Sequence, residues 1–215
     1  MTSNKEEYLK IIYHKGGENN YITNKVIASA LNVAPSSVTE MLPKLQKEGL
    51  VKLKPYKGTK LTEKGLHICL TLIRSCSLWE VFLVKHLNYN WKEAIEESHH
   101  LEHIANERLL NKLDEFLEYP IVCPHGSVIP RPGGTPFISE FIRLDQLEAN
   151  KKAFIKQVLE EVELLSYLER LGIHLNMEIE VLETSDYEGP VKIRTSSGII
   201  FLSLKAANGI YVDRI

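Results

Sequence analysis

The chain has 215 residues, 44% of them apolar and 25% charged, with a formal net charge of -2 at pH 7. This is ordinary globular composition, which excludes a disordered tail, a fibrous repeat or a short disulfide-stapled module. The charge is unevenly placed: residues 1–70 carry 11 Lys+Arg and 6 Asp+Glu, and the remainder 15 and 22. A basic N-terminal part before an acidic remainder is the pattern of a nucleic-acid-binding module joined to a second function.

Residues 1–4 lead straight into a charged helical pattern, with no basic start, apolar stretch or cleavage site, so the expected location is the cytoplasm. The most apolar stretch, residues 66–87, carries His67, Arg74, Glu80, Lys85 and His86. That much charge predicts a buried or interfacial helix and no membrane span. The cysteines, Cys69, Cys76 and Cys123, are odd in number and lack secreted-domain spacing. They are expected to be free thiols or metal ligands.

In chain order, apolar Tyr8, Leu9, Ile11 and Ile12 predict an amphipathic helix over residues 5–14, ended by Gly16-Gly17. Thr23 is an N-cap for a helix over 24–31, and after a turn at Asn32-Val33 a third helix runs from about 36 to 47, with Pro35 tolerated in its first turn. Residues 50–54 alternate like a strand, 55–58 turn, and 59–62 return. Two short helices, a tight turn and a β-ribbon make a winged helix-turn-helix. Its recognition helix would present Ser36, Ser37, Thr39, Glu40 and Lys44, with Ala34 and Pro35 at the end that enters the major groove. Lys52, Lys54, Lys57 and Lys60 on the wing suit DNA phosphate contacts, although a solvated lysine-rich hairpin would have the same composition.

Beyond the wing, a long helix is expected from the cap at Thr62 through Leu87, and one continuous helix over residues 90–118. Pro120, Cys123-Pro124-His125-Gly126 and Pro130-Arg131-Pro132-Gly133-Gly134 form a breaker-rich connector, with a domain boundary near residue 140. An amphipathic helix over 148–171 and short strands at 177–182, 191–195, 199–204 and 210–212 then predict a small SH3-like β-barrel. The fold class is mainly α with small β. The expected domains are 1–65 (winged helix-turn-helix), 66–139 (helical, dimerisation and metal-binding) and 140–215 (SH3-like).

The segment with most chemistry is His99-His100-Leu101-Glu102-His103. On a helix, His99, Glu102 and His103 would share a face. Read alone it is also the H-x-x-E-H of a zinc peptidase, with Glu102 as general base. Against that reading stand its five-residue length and the lack of a substantial catalytic domain around it. Cys76 and Glu80, four apart on the preceding helix, have ligand spacing, and Cys123 and His125 flank a proline.

With these residues in hand, the chain resembles the diphtheria-toxin-repressor family of metal-dependent transcriptional repressors. The resemblance rests on residues 4–10 (NKEEYLK), 22–25 (ITNK), 37–41 (SVTEM), 61–65 (LTEKG), 79–83 (WEVFL), 101–103 (LEH) and 123–126 (CPHG), in that order. It implies a winged helix, a helical dimerisation domain that binds metal, and a C-terminal SH3-like domain of the FeoA type. It also implies a homodimer that binds inverted-repeat operators in double-stranded DNA when loaded with metal and shuts off metal-uptake genes.

By position, the resemblance assigns Glu80, Cys123, His125 and Glu160 to one metal site, with Glu161 or Glu163 as alternatives to Glu160. It assigns Glu7, Cys76, His99, Glu102 and His103 to another. Glu160 replaces a more usual aspartate, and Glu7, Cys76 and His99 also depart from the family pattern, as does Ile95, where many members have a histidine. Carboxylate and imidazole donors suit Mn2+ or Fe2+, whereas thiolate and added histidine move a site toward Zn2+. The expectation is a Mn2+- or Fe2+-responsive repressor, with Zn2+ third, and no enzyme. The other readings are the zinc peptidase and a winged-helix regulator whose metal sites are purely structural. Cys69, His67, His86, His100 and His174 are read as packing or surface residues.

Overall fold

The computed structural model describes residues 2–104, 106–132, 141–184 and 189–215. The expected boundary near residue 140, and Gly133-Gly134 of the connector, lie outside the described residues. Two compact units are described separately: residues 2–76 with 101–104 and 130–132, and residues 77–100, 106–129, 141–184 and 189–215.

The first unit contains α1 (Ser3–His14), α2 (Asn24–Leu31), α3 (Pro35–Lys47), β1 (Val51–Lys54), β2 (Gly58–Leu61) and the start of α4 (Glu63–Leu87). Thr23 caps α2 by accepting a hydrogen bond from the Val26 amide at 3.4 Å. Asn32, at φ 52°, turns the chain in the left-handed region that asparagine tolerates, and Pro35 opens α3 where its missing N–H costs nothing. The apolar faces meet in one core: Leu9 and Ile12 of α1, Ile27 of α2, Val38, Leu42 and Leu45 of α3, then Leu50, Val51, Leu61 and Cys69. Each large apolar side chain so buried contributes about 1.5–3 kcal/mol.

The wing is antiparallel, with Val51 opposite Leu61 and Lys54 opposite Gly58. Ile22 extends it by exchanging hydrogen bonds of 2.7 and 2.8 Å with Thr59. At Gly58, φ is +110° and a Cβ would lie 2.2 Å from the Ile22 carbonyl oxygen. Only glycine fits that crossing.

The second unit holds the rest of α4, most of α5 (Trp91–Leu101), α6 (Glu107–Phe116), β3 (Ile142–Arg143), β4 (Lys152–Val158), α7 (Val162–Arg170), β5 (Glu178–Thr184), β6 (Val191–Thr195), β7 (Gly198–Leu202), α8 (Leu204–Asn208) and β8 (Ile210–Arg214). Its sheet is antiparallel in the order β3-β8-β4-β5-β6-β7. The expected SH3-like fold is present, as an open sheet with edges at β3 and β7 in place of a closed barrel. Its core gathers Ile155 and Val158 of β4, Leu165 and Leu168 of α7, Val181, Ile193 and Val212. A smaller core holds Leu78, Leu113, Leu117, Cys123 and Ile129.

Two expected helices differ. The continuous helix over 90–118 is instead α5 and α6, with turns at residues 102–104. Asn106 explains the second start: its side chain accepts from the Leu109 amide at 2.9 Å, so a polar cap overrides the apolar period. The helix over 148–171 is a strand followed by the nine-residue α7. Pairing of β4 with β5 on one side and β8 on the other satisfies its backbone, and Ala153 and Ile155 alternate inward. Against β8 the register slips between Ile155 and Gln157, leaving Lys156 as the extra residue of a bulge. β3 and α8 were not expected; α8 is capped by Ser203, which accepts from the Ala206 amide at 3.2 Å.

α4 is long and apolar enough to cross a membrane by length and composition, but 56% of its apolar window is buried inside the protein. It is the buried helix that its charges predicted.

Candidate functional site

In the second unit, Glu80, Cys123 and His125 bring one donor atom each within 4.8 Å of one another. All three are at most 2% exposed. Glu80 comes from α4. Cys123 and His125 come from a tight hairpin closed by the Val122–Val128 bridge and by the Cys123 amide donating to Ser127 O at 2.9 Å. His125 Nδ1 lies 3.1 Å from Glu80 Oε2 and 3.3 Å from Cys123 Sγ. Its Nε2 lies 4.0 Å from Glu160 Oε2. Of the three expected alternatives, Glu160 is thus the one that approaches this group; Glu161 is the N-cap of α7 and Glu163 lies in its first turn. The other Glu160 oxygen is 3.0 Å from His99 Nε2, so this carboxylate spans two histidines.

The hairpin is seated on the bulged strand. The Val158 amide donates to His125 O at 2.9 Å. Gly126 has φ +90°, and a Cβ there would lie 2.1 Å from the Lys156 carbonyl oxygen.

Burial pushes the Cys123 thiol up, against the opposing pull of His125. For His125, burial favours the neutral ring, but Cys123 and Glu80 outweigh it and hold the imidazole well above its ordinary range. Burial thus keeps the Cys123 thiol protonated at neutral pH. A divalent cation takes thiolate and neutral imidazole, so loading must expel protons, and affinity must rise with pH. Calorimetric Mn2+ titrations in buffers of different ionisation enthalpy should give about one proton or more released per ion at this group. A value near zero would contradict this protonation state.

In the first unit, Glu7, Glu102 and His103 form a second group within the same 4.8 Å span. His103 Nε2 is 3.4 Å from Glu7 Oε1 and 3.5 Å from Glu102 Oε1. Its Nδ1 is 2.5 Å from Glu6 Oε2, which fixes the ring with Nε2 facing the two carboxylates. Lys10, three residues after Glu7 on α1, donates to Glu102 Oε1 at 2.6 Å. Burial alone would lower the Lys10 pKa, but Glu102 foremost holds it above the ordinary lysine value. Among the described residues, Glu102 Oε2 is buried without a hydrogen-bond partner. An orphaned carboxylate oxygen beside an oriented imidazole and a second carboxylate fits a hard divalent cation.

The five residues expected in one site are thus placed as follows. Glu7, Glu102 and His103 come together. Cys76 is buried on α4 and is not part of that group. His99 faces Glu160 in the second unit. Because α5 ends at Leu101, the histidines and Glu102 do not lie on one continuous helix, which the peptidase reading requires. Ile95 is a core residue of the sheet unit. Cys69 is fully buried in the winged-helix core, its thiol pushed up to about 12 by burial, and His67, His86, His100 and His174 are exposed. Sequence reasoning missed Glu6, Lys10 and Gly126. The i, i+3 spacing of Glu7 and Lys10 was the available signal for Lys10.

On the winged helix, Ala34, Pro35, Ser36, Ser37, Thr39 and Glu40 are exposed along the first turns of α3. The Thr39 hydroxyl donates to Pro35 O at 3.0 Å. Lys44 is exposed and pairs with Glu40 at 2.7 Å, and its hydrogen bond and charge lower the Glu40 pKa. Lys52, Lys54 and Lys57 are exposed, whereas Lys60 is half-buried and donates to Asn19 O at 3.1 Å. Tyr56, at φ 61°, stands fully exposed at the wing tip.

Residues 1–59 match the iron dependent repressor N-terminal DNA binding domain, 62–131 the iron dependent repressor metal binding and dimerisation domain, and 142–214 the FeoA domain. The chain is 38% identical over 119 residues to the uncharacterized HTH-type transcriptional regulator MJ0568 of Methanocaldococcus jannaschii, spanning 55% of this chain and 95% of that protein. The structure of the manganese regulator SloR matches at 36% identity and TM-score 0.81, covering 100% of both chains. ScaR with bound Zn2+ matches at 37% identity and TM-score 0.86, covering 99% of this chain and 100% of that one.

Proposed function

The chain belongs to the iron-dependent repressor family of metal-dependent transcriptional repressors, and we propose that it is a homodimer that binds inverted-repeat operators when loaded with Mn2+ or Fe2+ and represses metal-uptake genes in the cytoplasm. Members of this family are DNA-binding regulators and not enzymes, so the peptidase reading is set aside. The observation that carries the proposal is the pair of preassembled donor groups on a chain whose first unit is a winged helix. We divide it functionally at residues 65 and 139.

Glu80, Cys123, His125 and Glu160 would hold one ion, and Glu7, Glu102 and His103 the other. A bound ion supplies positive charge that lets several donors from separate segments share one point. Glu7 lies on α1, whose Leu9 and Ile12 enter the winged-helix core, so fixing its carboxylate restrains the module that carries α3. Glu80 and the Cys123–His125 hairpin perform the same task for α4. Stabilising one arrangement over others is sufficient for switching, and coupling of about 1–3 kcal/mol is typical. Recognition would come from Ser36, Ser37 and Thr39, with Lys52, Lys54 and Lys57 on phosphates.

Exposed apolar side chains in the helical segment support a two-fold dimer: Leu109 and Phe116 on α6, then Tyr119, Ile121 and Val122. Phe116 packs on Phe82 and His86 at ring separations of 6.1 and 5.0 Å, which holds it in place. Carboxylate-rich donors favour Mn2+ and Fe2+, while Cys123 keeps Zn2+ in competition.

The deciding experiment is an operator titration of chelator-stripped protein at fixed salt, with Mn2+, Fe2+ or Zn2+ added back. DNA affinity should rise by roughly 5–150-fold on loading, in line with the coupling above. Equal affinity with and without metal would leave the winged helix and remove the switch.

A further inference from the structure

We infer that Lys10 is a resident cation at the Glu7–Glu102–His103 group, an internal competitor that a divalent ion must expel before Glu102 can serve it as ligand. This inference rests on reading that group as an ion site.

The geometry is one of shared atoms. Lys10 Nζ is 2.6 Å from Glu102 Oε1 and 3.9 Å from Glu7 Oε1. His103 Nε2 approaches the same two oxygens, at 3.5 and 3.4 Å. The ammonium and the imidazole therefore converge on the pair of carboxylate oxygens between which an ion would have to sit. Lys10 is 8% exposed and the Glu102 side chain is fully buried, so water screens this meeting little. An ammonium and a dication on one buried carboxylate oxygen repel at contact distance, and one of them has to leave.

The surroundings allow the exchange. Glu102 Oε2 has no hydrogen-bond partner among the described residues, so the carboxylate can turn without breaking a second bond to them. Its main chain stays fixed, because Ser75 Oγ donates to Glu102 O at 3.2 Å. Glu6 keeps the His103 ring oriented while Lys10 moves. Glu7, with its side chain 42% exposed, leads from the buried pair to solvent and offers the departing ammonium an intermediate partner at i, i+3. Until then Lys10 neutralises Glu102, whose charge would otherwise be buried unpaired. The same contact that stabilises the ion-free first unit thus raises the ion concentration at which this group fills.

The test uses the full chain and Mn2+ alone, with free Mn2+ followed by its electron paramagnetic resonance signal. In the parent protein, the binding class that His103→Ala abolishes belongs to this group. In Lys10→Met and Lys10→Gln that class should tighten by about tenfold or more, while the class abolished by Cys123→Ala keeps its affinity. Lys10→Gln retains a donor for Glu102 and covers the case in which Lys10→Met fails to fold without metal. Thermal unfolding gives the second readout: the metal-free variants should melt below the parent and gain more on Mn2+ addition. An unchanged or weaker His103-dependent class in a folded Lys10 variant overturns the inference and makes Lys10 a structural partner only. If no binding class responds to His103→Ala in any of the proteins, the ion-site reading itself falls, and the inference with it.

Discussion

Cys123→Ala should weaken ion binding at the Glu80–Cys123–His125 group by more than about 100-fold, since even the loss of groups that merely orient metal ligands costs 10–100-fold. Cys123 is the soft donor of the set, and His125 is left without the 3.3 Å contact that places it. The ion-free fold should survive, because the His125–Glu80 pair at 3.1 Å remains and the deleted sulfur leaves only a small cavity. His125→Ala is the harsher change: it removes the group facing a Glu80 carboxylate that is 2% exposed. Operator binding by Cys123→Ala at a fixed Mn2+ concentration that saturates the parent should fall to the metal-free level, a loss of roughly 5–150-fold. Fluorescence anisotropy with labelled operator measures it. Full retention of Mn2+-dependent DNA affinity in the folded variant would separate this group from the switch.

Gly126→Ala should destabilise the protein by about 3 kcal/mol or more, although it adds a single methyl group. Two causes act together. The backbone has φ +90°, and the new Cβ would meet the Lys156 carbonyl oxygen at 2.1 Å. That neighbour is backbone, held at the bulge between Ile155 and Gln157, which both pair with β8, and cannot rotate aside. Gly172 is the control in the same unit: its φ is +68° with nothing within 4 Å of a built Cβ, so Gly172→Ala should cost only about 1 kcal/mol of conformational strain. Urea unfolding of the two variants separates clash from strain. If the Gly126 variant folds, its hairpin will have moved off β4, and Mn2+ affinity at His125 should fall with stability; equal costs at the two glycines would disprove the seating.

The winged helix was legible because each of its elements is short and ends on an explicit signal, Thr23, Asn32, Pro35 or Gly58. The helical middle was less so. Apolar spacing over residues 90–118 is compatible with one helix, and a single Asn106 cap decides for two. Residues 152–158 carry two lysines and a glutamine among apolar residues, and only pairing on both sides, a long-range fact, makes them a strand. At the candidate sites, cysteine, histidine and glutamate announce themselves by chemistry, and the resemblance supplied which distant segments join. Their supporting residues do not announce themselves. Lys10 reads as a surface lysine until Glu102, 92 residues away, meets it, and Glu6 reads as a helical surface charge until His103 does.

The bulge at Lys156 has a bearing on how this chain can change over time. What the Cys123–His125 hairpin rests on is mostly main chain, the Lys156 carbonyl, the Gln157 Cα and the Val158 amide, with one side chain added where Gln157 Nε2 donates to Ser127 Oγ at 3.2 Å. The side chain at 156 is no part of that seat and is therefore free to drift, and sequences that differ there keep the same floor beneath the donors. A one-residue deletion in β4 would do what no point change does. It would iron out the offset against β8, turn the carbonyl at 156 away, and leave every donor residue in the chain while dissolving the place where they meet.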